Sequence, residues 1–343
     1  MKPKRVLVVT AQGLVPPVTA SENKELHLAP WKMEFDVMQA LQTQGHETQI
    51  IEVSDDLLHI RSSIDEFKPH VVFNLVHEFH GVGVYDHHIA AYLELLKQPY
   101  TGCDPRGLML AHDKVIAKKI MSYHDIPTPG FEVYRRRKPF KKPNGLQYPM
   151  IVKSTIEDAS WGISQASIVN DEQKLKARVE YVHNETKSDA LVEEYIEGRE
   201  IYLGVMGNRR LKAFPPREIV FDGLAKNNYA IASHKAKWDE QYRERHKIRS
   251  ERAKDFDEAT EEQLLKAAKE IYRALHLSGY ARLDCRLRDD GTLFFLEANP
   301  NCDLSFDDDF ACAAEAMGLS FGDLIDRIVK LGRNYQPAWK RTD

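Results

Sequence analysis

The chain has 343 residues, 43% of them hydrophobic and 29% charged, which is the make-up of an ordinary globular protein with room for two or three small domains. Lys and Arg number 48 against 52 Asp and Glu, a formal net charge of -4 that gives no overall attraction to nucleic acid or to anionic membranes. No apolar run approaches a bilayer span, so neither a nucleic-acid nor a membrane partner is expected.

The basic start Met1-Lys2-Pro3-Lys4-Arg5 precedes an apolar segment too short for a secretory signal, so Val6 to Val9 reads as a first buried strand. A helix follows over residues 31–44, with Met33, Phe35, Val37, Met38 and Leu41 at helical spacing. Residues 47–53 and 71–76 read as strands and 87–96 as an amphipathic helix. Alternation of this kind predicts a doubly wound parallel sheet, closed by the turn-rich Pro99-Tyr100-Thr101-Gly102. A helix over 106–124 carries Asp113 and Lys114 and stops before Ile126-Pro127-Thr128-Pro129-Gly130. Strands are expected at 131–134, 150–153, 163–169, 190–196, 200–206, 210–214 and 217–221, with a helix over 171–182. Basic residues also cluster at Tyr134-Arg135-Arg136-Arg137-Lys138 and between Lys235 and Lys254. The second cluster mixes in acids and reads as a solvated loop or helix. A helix over 260–275, a hairpin over 281–299 and helices over 310–317 and 321–331 complete the chain. Three units are expected, at 1–102, 103–190 and 191–343. The cysteines Cys103, Cys285, Cys302 and Cys312 have no zinc or disulfide spacing, which suits reduced thiols in the cytoplasm.

The hairpin is the most informative stretch. Asp290-Gly291 between two alternating runs is a strong turn signal, and a two-residue turn there sets Asp284 opposite Glu297 and Arg282 opposite Asn299. Opposed residues share a face, so two carboxylates and an amide converge beside a guanidinium. Leu283, Cys285, Leu287, Phe294, Leu296 and Ala298 then form the core face. The acidic face is either a solvated polar surface or a set of oxygen ligands for a hard divalent cation. Two other segments carry similar ambiguity. Lys153 ends the apolar strand Met150-Ile151-Val152 and either snorkels or meets an anion, with small residues after it that let backbone N–H groups approach one. Glu193, Glu194, Glu197 and Glu200 crowd a strand region and read as a charge-protected edge or as a ligand site. Neither a Walker-type loop nor a GxGxxG fingerprint is present.

The succession Asp113-Lys114, Ile151-Val152-Lys153, Val192-Glu193-Glu194-Tyr195-Ile196 with Gly198 and Glu200, Ala281-Arg282-Leu283-Asp284 and Leu296-Glu297-Ala298-Asn299-Pro300 resembles the ATP-grasp superfamily, most closely the D-alanine–D-alanine ligases. The likeness runs over residues 6–331 and includes His80-Gly81 and the turn at 99–102. Order and spacing carry it rather than any single motif. It implies a three-domain α/β ATP-grasp fold and a ligase that uses ATP and two Mg²⁺ ions, for which Mn²⁺ can substitute. A carboxylate donor would become an acylphosphate, and an amine acceptor would displace the phosphate. The resemblance assigns Lys114, Lys153 and Ser160 to the phosphates, Glu193 to the adenine amino group, Glu194, Tyr195 and Ile196 to the ring edge, and Glu200 to the ribose. It assigns Asp284, Glu297 and Asn299 to the metal, Arg282 and Lys237 to the reacting centre, and His80 to the carboxylate being activated. A homodimer would follow the family. A closing loop would exclude water, with 154–162 and 225–256 as candidates.

The family pattern breaks at the substrate end. Thr10-Ala11-Gln12-Gly13-Leu14-Val15-Pro16-Pro17 replaces a Gly-rich loop, and Glu22, Glu25 and Glu34 are only neighbours of the glutamate expected to hold an ammonium. After Asn299, where the family binds a carboxylate, this chain runs Asp303-Leu304-Ser305-Phe306-Asp307-Asp308-Asp309. Asp303 and Asp308 are therefore candidate contacts for a cationic amine, unless the aspartates simply favour the start of the helix after them. A ligase with other substrates is the leading reading. The alternatives are a true D-alanine–D-alanine ligase and a nucleotide-gated regulatory module without turnover.

Overall fold

In the computed structural model, residues 2–22, 26–156, 162–225 and 227–340 are described. The strand β1 (Arg5–Ala11) pairs in parallel with β2 (Glu47–Val53) and β3 (Val71–Asn74), in the order β2-β1-β3. Successive side chains of β1 go to opposite faces, and both faces are buried, which is why the segment is apolar without alternation. The helices α1 (Lys32–Thr43), α2 (Leu58–Phe67) and α3 (Asp86–Leu95) cover it. Leu7 and Val9 join the core with Ile60 of α2 and Ile89 and Leu93 of α3, whereas Val6 and Val8 join Val37 and Leu41 of α1. α2 was hidden in the sequence because it fully buries only Ile60.

The single helix expected over 106–124 is two, α4 (Pro105–His112) and α5 (Lys114–Tyr123). Asp113 takes an extended backbone between them, and its carboxylate accepts the N–H groups of Val115 and Ile116 at 3.0 and 2.8 Å. Lys114 thereby becomes the first residue of a newly directed helix.

The second sheet has the antiparallel order β4-β7-β5-β6, from β4 (Phe131–Tyr134), β5 (Met150–Ser154), β6 (Ile168–Val169) and β7 (Ala190–Glu194). The strand expected over 163–169 contracts to β6 after a 3₁₀ turn at Gln165–Ser167. The boundary expected after residue 190 falls on the first residue of β7, and β7 belongs whole to this sheet. Met150 and Val152 of β5 pack on Leu175, Val179 and Val182 of α6 (Glu172–Glu185). Ile151 and Lys153 therefore face away from α6, toward the rest of the molecule.

The third sheet runs β11-β10-β8-β12-β13, with β9 added to β8. Its strands are β8 (Arg199–Met206), β9 (Lys212–Ala213), β10 (Arg217–Phe221), β11 (Ile248–Arg252), β12 (Tyr280–Leu287) and β13 (Leu293–Pro300). The charged region 235–254, expected as loop or helix, forms α7 (His234–Trp238), α8 (Glu240–Arg245) and the edge strand β11. An edge position tolerates the Arg249 and Glu251 charges that made it unlike a strand. Behind the sheet, α9 (Glu258–Ala274) packs Leu264, Ala268 and Ile271 on Ile201, Leu203, Leu283 and Cys285.

The helices α10 (Asp309–Glu315) and α11 (Phe321–Asn334) end the chain. α11 returns to the first sheet, where Leu324, Ile325, Ile328 and Val329 are buried with Val6, Val8, Leu41 and Phe73. Just past the first unit, Asn301 Oδ1 accepts the Cys103 N–H at 2.7 Å. Beside it Gly279, at φ 71°, lets the Gly102 backbone approach where a Cβ would collide. Ile328 is fully buried in the shared core, so Ile328→Ala should cost about 2–5 kcal/mol by cavity formation in urea unfolding. A loss well under 1 kcal/mol would show that α11 does not secure the first unit.

Candidate active site

In the hairpin, Asp284 pairs with Glu297 and Arg282 with Asn299, as the sequence implied, but the turn that produces this register differs. The Arg288 N–H donates to Thr292 O and the Gly291 N–H to Arg288 O, and Leu287 pairs with Leu293. The connection is thus one residue longer than a two-residue turn, and an extra residue in β13 at Leu296 restores the register before Glu297. The bulge changes which side chains are core. Leu293 and the fully buried Phe295 join Cys285 and Leu287, replacing the expected Phe294 and Leu296. Leu296 turns instead into the site.

The site occupies the gap between the second and third sheets. Its buried centre is Glu193, whose carboxylate lies 2.6 Å from Lys118 Nζ and 2.9 Å from Lys153 Nζ. Burial alone would raise the acid's pKa, but the two ammonium groups hold it down to about 2. Burial pulls Lys118 below its ordinary value. Lys153 is also pulled down by burial, yet Glu193 and Glu297 outweigh this and leave it raised. Glu193, expected to meet an adenine amino group, therefore has both oxygens committed to lysines. Lys118 was not anticipated. Its signal was the spacing of four from Lys114 on α5, which puts both lysines on the buried face with Ala117 and Met121.

Around this centre lies a slot walled by Ile151, Ile163, Ile196, Ile231 and Leu296, with Glu194 and Tyr195 at its rim. The Glu194 side chain accepts the Gln147 N–H at 2.8 Å, and Tyr195 packs edge-on against Tyr229 with centroids 5.0 Å apart. At one end the buried Glu200 accepts from Arg286 Nη2 at 2.8 Å and from Tyr202 Oη at 3.3 Å. Arg286, with Ile231 from the segment between β10 and α7, is a wall residue that the sequence reading left out. Ser160 lies outside the described residues, as do most of the 154–162 segment and Glu25.

At the other end Asp284, Glu297 and Asn299 share a face. Arg282 grips Asp284 with Nε to Oδ1 at 2.8 Å and Nη2 to Oδ2 at 3.1 Å, and stacks 4.8 Å from the Tyr202 ring. Lys237 Nζ is 4.0 Å from Asp284, and Lys114 Nζ is 3.8 Å from Glu297. Burial pushes the Asp284 carboxyl up, against the opposing pull of Arg282. The buried Asn299 Nδ2 has no hydrogen-bond partner among the described residues. Two opposed carboxylates and an amide oxygen fit a hard divalent cation. Among the described residues no three His, Cys, Asp or Glu side chains converge to hold a metal, so a cation here would draw its remaining oxygens from a ligand or water.

Beyond Asn299 the aspartates are not equivalent. Asp307 pairs with Lys32 at 2.7 Å, and Asp309 pairs with Arg217 at 2.7 Å and accepts from Ser250. Asp303 and Asp308 line a cavity of about 280 Å³ together with Lys237, Arg282 and Asn299. Asp308 occupies the N-cap position of α10 without a side-chain cap bond, and burial, with Asp303 and Asp309 nearby, pushes its carboxyl up to about 8. Glu34 is fully buried, accepts from Thr10 Oγ1 at 2.6 Å, and is raised to about 7 by burial. A second cleft of about 700 Å³ opens against the first unit, walled by Met33, Leu75, Val76, Val82, Val84 and Trp238. His80 does not join it. The residue is exposed, with a left-handed backbone at φ 57°, and His77, Glu78 and Gly81 line the cleft in its place.

Residues 120–330 match the family model described as D-ala D-ala ligase C-terminus. An uncharacterised protein of Sinorhizobium fredii, y4sG, is 31% identical over 88% of this chain and 88% of its own length. A D-alanine–D-alanine ligase of Desulfotalea psychrophila is 31% identical over 76% of this chain and 77% of its own. The chain belongs to the D-alanine–D-alanine ligase family. It is therefore an ATP-grasp ligase, of the class that joins carbon to nitrogen. A solved structure titled as the D-alanine–D-alanine ligase of Bacillus anthracis complexed with ATP superposes with a TM-score of 0.72, covering 96% of this chain and 97% of that one at 21% identity. That likeness gives the fold.

For this member of the ligase family, Glu193→Gln would leave Lys118 and Lys153 buried side by side, at a cost of about 3–5 kcal/mol at neutral pH. The Glu193 pKa is depressed from 4.5 to about 2, so its stabilisation is complete above about pH 4.5 and is lost as pH falls toward 2. Urea unfolding of parent and variant should therefore differ most at neutral pH and converge in acid. Equal stabilities at pH 7 would refute the arrangement.

Proposed function

We propose that the protein is an ATP- and Mg²⁺-dependent carboxylate–amine ligase whose substrates are not two D-alanines. One observation supports this above the others. Asp284, Glu297 and Asn299 share one face with Arg282, Lys114, Lys153 and Lys237 around them, between an apolar slot and a large open cleft. In this reading the slot takes the adenine, the backbone of residues 194–196 reads its edge, and Glu200 takes the ribose hydroxyls. Glu193 acts through Lys153, fixing that ammonium where the phosphates lie. Bound by Asp284, Glu297 and Asn299, Mg²⁺ would neutralise charge on the transferring phosphoryl group.

The donor carboxylate oxygen attacks the γ-phosphorus, the bond to the bridging oxygen breaks, and ADP leaves. The amine then attacks the acylphosphate carbon. Arg282 lies where negative charge develops on the carbonyl oxygen, and the lysines bear the leaving phosphate's charge. Preorganised cations and positioning carry the reaction, so no protein nucleophile is required.

The acceptor end argues for different substrates. Asp303, Asp307, Asp308 and Asp309 all line the cavity beside Arg282, and of these Asp307 and Asp309 are ion-paired with Lys32 and Arg217. That wall suits an amine that lacks a carboxylate or carries a second positive charge, since a cation beside Asp308 would favour its ionised form. The absence of zinc and disulfide spacing and the four free thiols, three of them buried, suit a reducing cytoplasm.

ADP release should appear with a carboxylate donor and an amine panel, and be weak with D-alanine alone. Efficient D-alanyl-D-alanine synthesis would overturn the substrate reading, and tight ATP binding without turnover would favour a regulatory module. Glu297→Gln should lower kcat about 10²–10³-fold with the fold intact by circular dichroism. It is a cleaner test than Lys153→Ala, which also strips Glu193 of a partner. Asp308→Asn should raise the KM for a cationic amine about tenfold, as expected for one charge-assisted hydrogen bond, and leave ATP's KM unchanged.

A further inference from the structure

The indole of Trp238 is largely exposed, and it stands on the walls of two chambers, the cavity of about 280 Å³ beside Arg282 and the cleft of about 700 Å³ against the first unit. Asn299, Cys302 and Asp303 are common to the same two walls. The chambers therefore meet at the Asn299 end of β13, an arrangement for two reactants entering from different sides. The acceptor reading above fills the smaller chamber, which leaves the larger for the carboxylate donor.

The position of the larger cleft follows from the strand order of the first sheet. β1 lies between β2 and β3, so the chain reverses its direction of travel across the sheet there, and a crevice opens past the carboxyl ends of β1 and β3. Leu75 and Val76 follow directly on β3, and Met33 joins them from the first turn of α1. With Val82, Val84 and Trp238 they give the cleft an apolar wall. An alanine methyl group would leave nearly all of that volume to water, whereas clefts of this size are filled by ligands with many apolar atoms. Each methylene brought against such a wall adds to affinity.

The charged groups on the cleft have one sign. They are Glu78, Asp86 and Asp303, beside His77 and His112, and no Lys or Arg lines it among the described residues. Asp86 is 3% exposed and keeps Oδ1 without a hydrogen-bond partner among the described residues. Asn299 and Asn301, also lining the cleft, each keep a buried Nδ2 in the same state. Bare buried donors and acceptors are costly. One acceptor and two donors match a ligand that brings both an ammonium and a carboxylate.

From these observations we infer that the carboxylate donor is an amino acid with a bulky apolar side chain, seated against Met33, Leu75, Val76, Val82, Val84 and Trp238. The inference rests on the ligase reading above and names the substrate class of its larger chamber. Val82 and Val84 are then specificity-determining residues, since they set the room left for the side chain.

Two readouts separate this assignment from the ligase reading. Full-length enzyme with ATP and Mg²⁺ is given D- or L-alanine, 2-aminobutyrate, norvaline and norleucine as donors, with hydroxylamine as an acceptor common to all, and ADP release is followed. The same amino acids are titrated calorimetrically into enzyme holding Mg²⁺ and a non-hydrolysable ATP analogue. In one configuration, kcat/KM and affinity should each rise about fourfold per added methylene, the worth of one buried CH₂. Hexanoate, which is norleucine without its amino group, should bind about tenfold more weakly, as for one lost charge-assisted hydrogen bond. Val82→Phe, or Val84→Phe where the first alters the circular dichroism, should lower kcat/KM about tenfold for norleucine and less than about threefold for alanine. A series that is flat or falls with chain length, hexanoate equal to norleucine, or a variant that penalises alanine as much as norleucine overturns the inference, while ADP release keeps the ligase reading. Graded binding with no ADP release overturns the ligase reading and leaves the cleft's preference standing. Neither binding nor release with any member sinks both.

Discussion

The Lys118–Glu193–Lys153 triad is the constraint on which the rest of the site depends. It takes one strand from the second sheet's centre, its neighbour, and the helix that leads into that sheet, and locks them through a carboxylate that water does not reach. Buried charges of this kind are costly and are tolerated only when each has a partner. The arrangement here leaves one net positive charge inside the protein. That charge lies close to Glu297 of β13. A polyanion entering the gap thus meets a cation that was immobilised when the protein folded. No reorganisation is required at the moment of binding, which is how a preorganised site gains over water.

Much of this was legible in the sequence because it followed from strand periodicity. Val6 to Val9, the β5 apolar run ending in Lys153, and the facing of Asp284 with Glu297 all follow from the rule that side chains alternate and that paired residues share a face. The roles suggested by family likeness for Asp284, Glu297, Asn299, Lys153 and Glu200 gather in one gap, whereas His80 stands apart from it. What escaped was anything requiring a break in regularity. A period-two reading cannot see the bulge at Leu296, so it sent that side chain to the core and kept Phe295 out of it. The two departures from the assumed turn cancel before Glu297, so the pairing was right although the turn was not.

Charge caused the remaining misreadings. Lys118 sits beside Lys119 on α5, and although its spacing from Lys114 marks it as the one on the buried face, only the tertiary position of Glu193 explains how its charge is tolerated there. β11 was hidden by Arg249, Glu251 and Arg252, which are acceptable because one flank of an edge strand faces solvent. The run of aspartates after Asn299 looked uniform in sequence. In three dimensions Lys32 from the first unit and Arg217 from the third sheet remove two of them from play, a selection that only long-range packing could make.

The return of α11 to the first sheet also has a consequence for synthesis. Val6, Val8 and Phe73 leave the ribosome well before residues 321–334, which form the helix that packs on their face. That unit is thus begun long before its core can close. Until α11 emerges, the core around Val6, Val8 and Phe73 lacks Leu324, Ile325, Ile328 and Val329. The order of translation thereby ties completion of the first sheet's core to the arrival of α11.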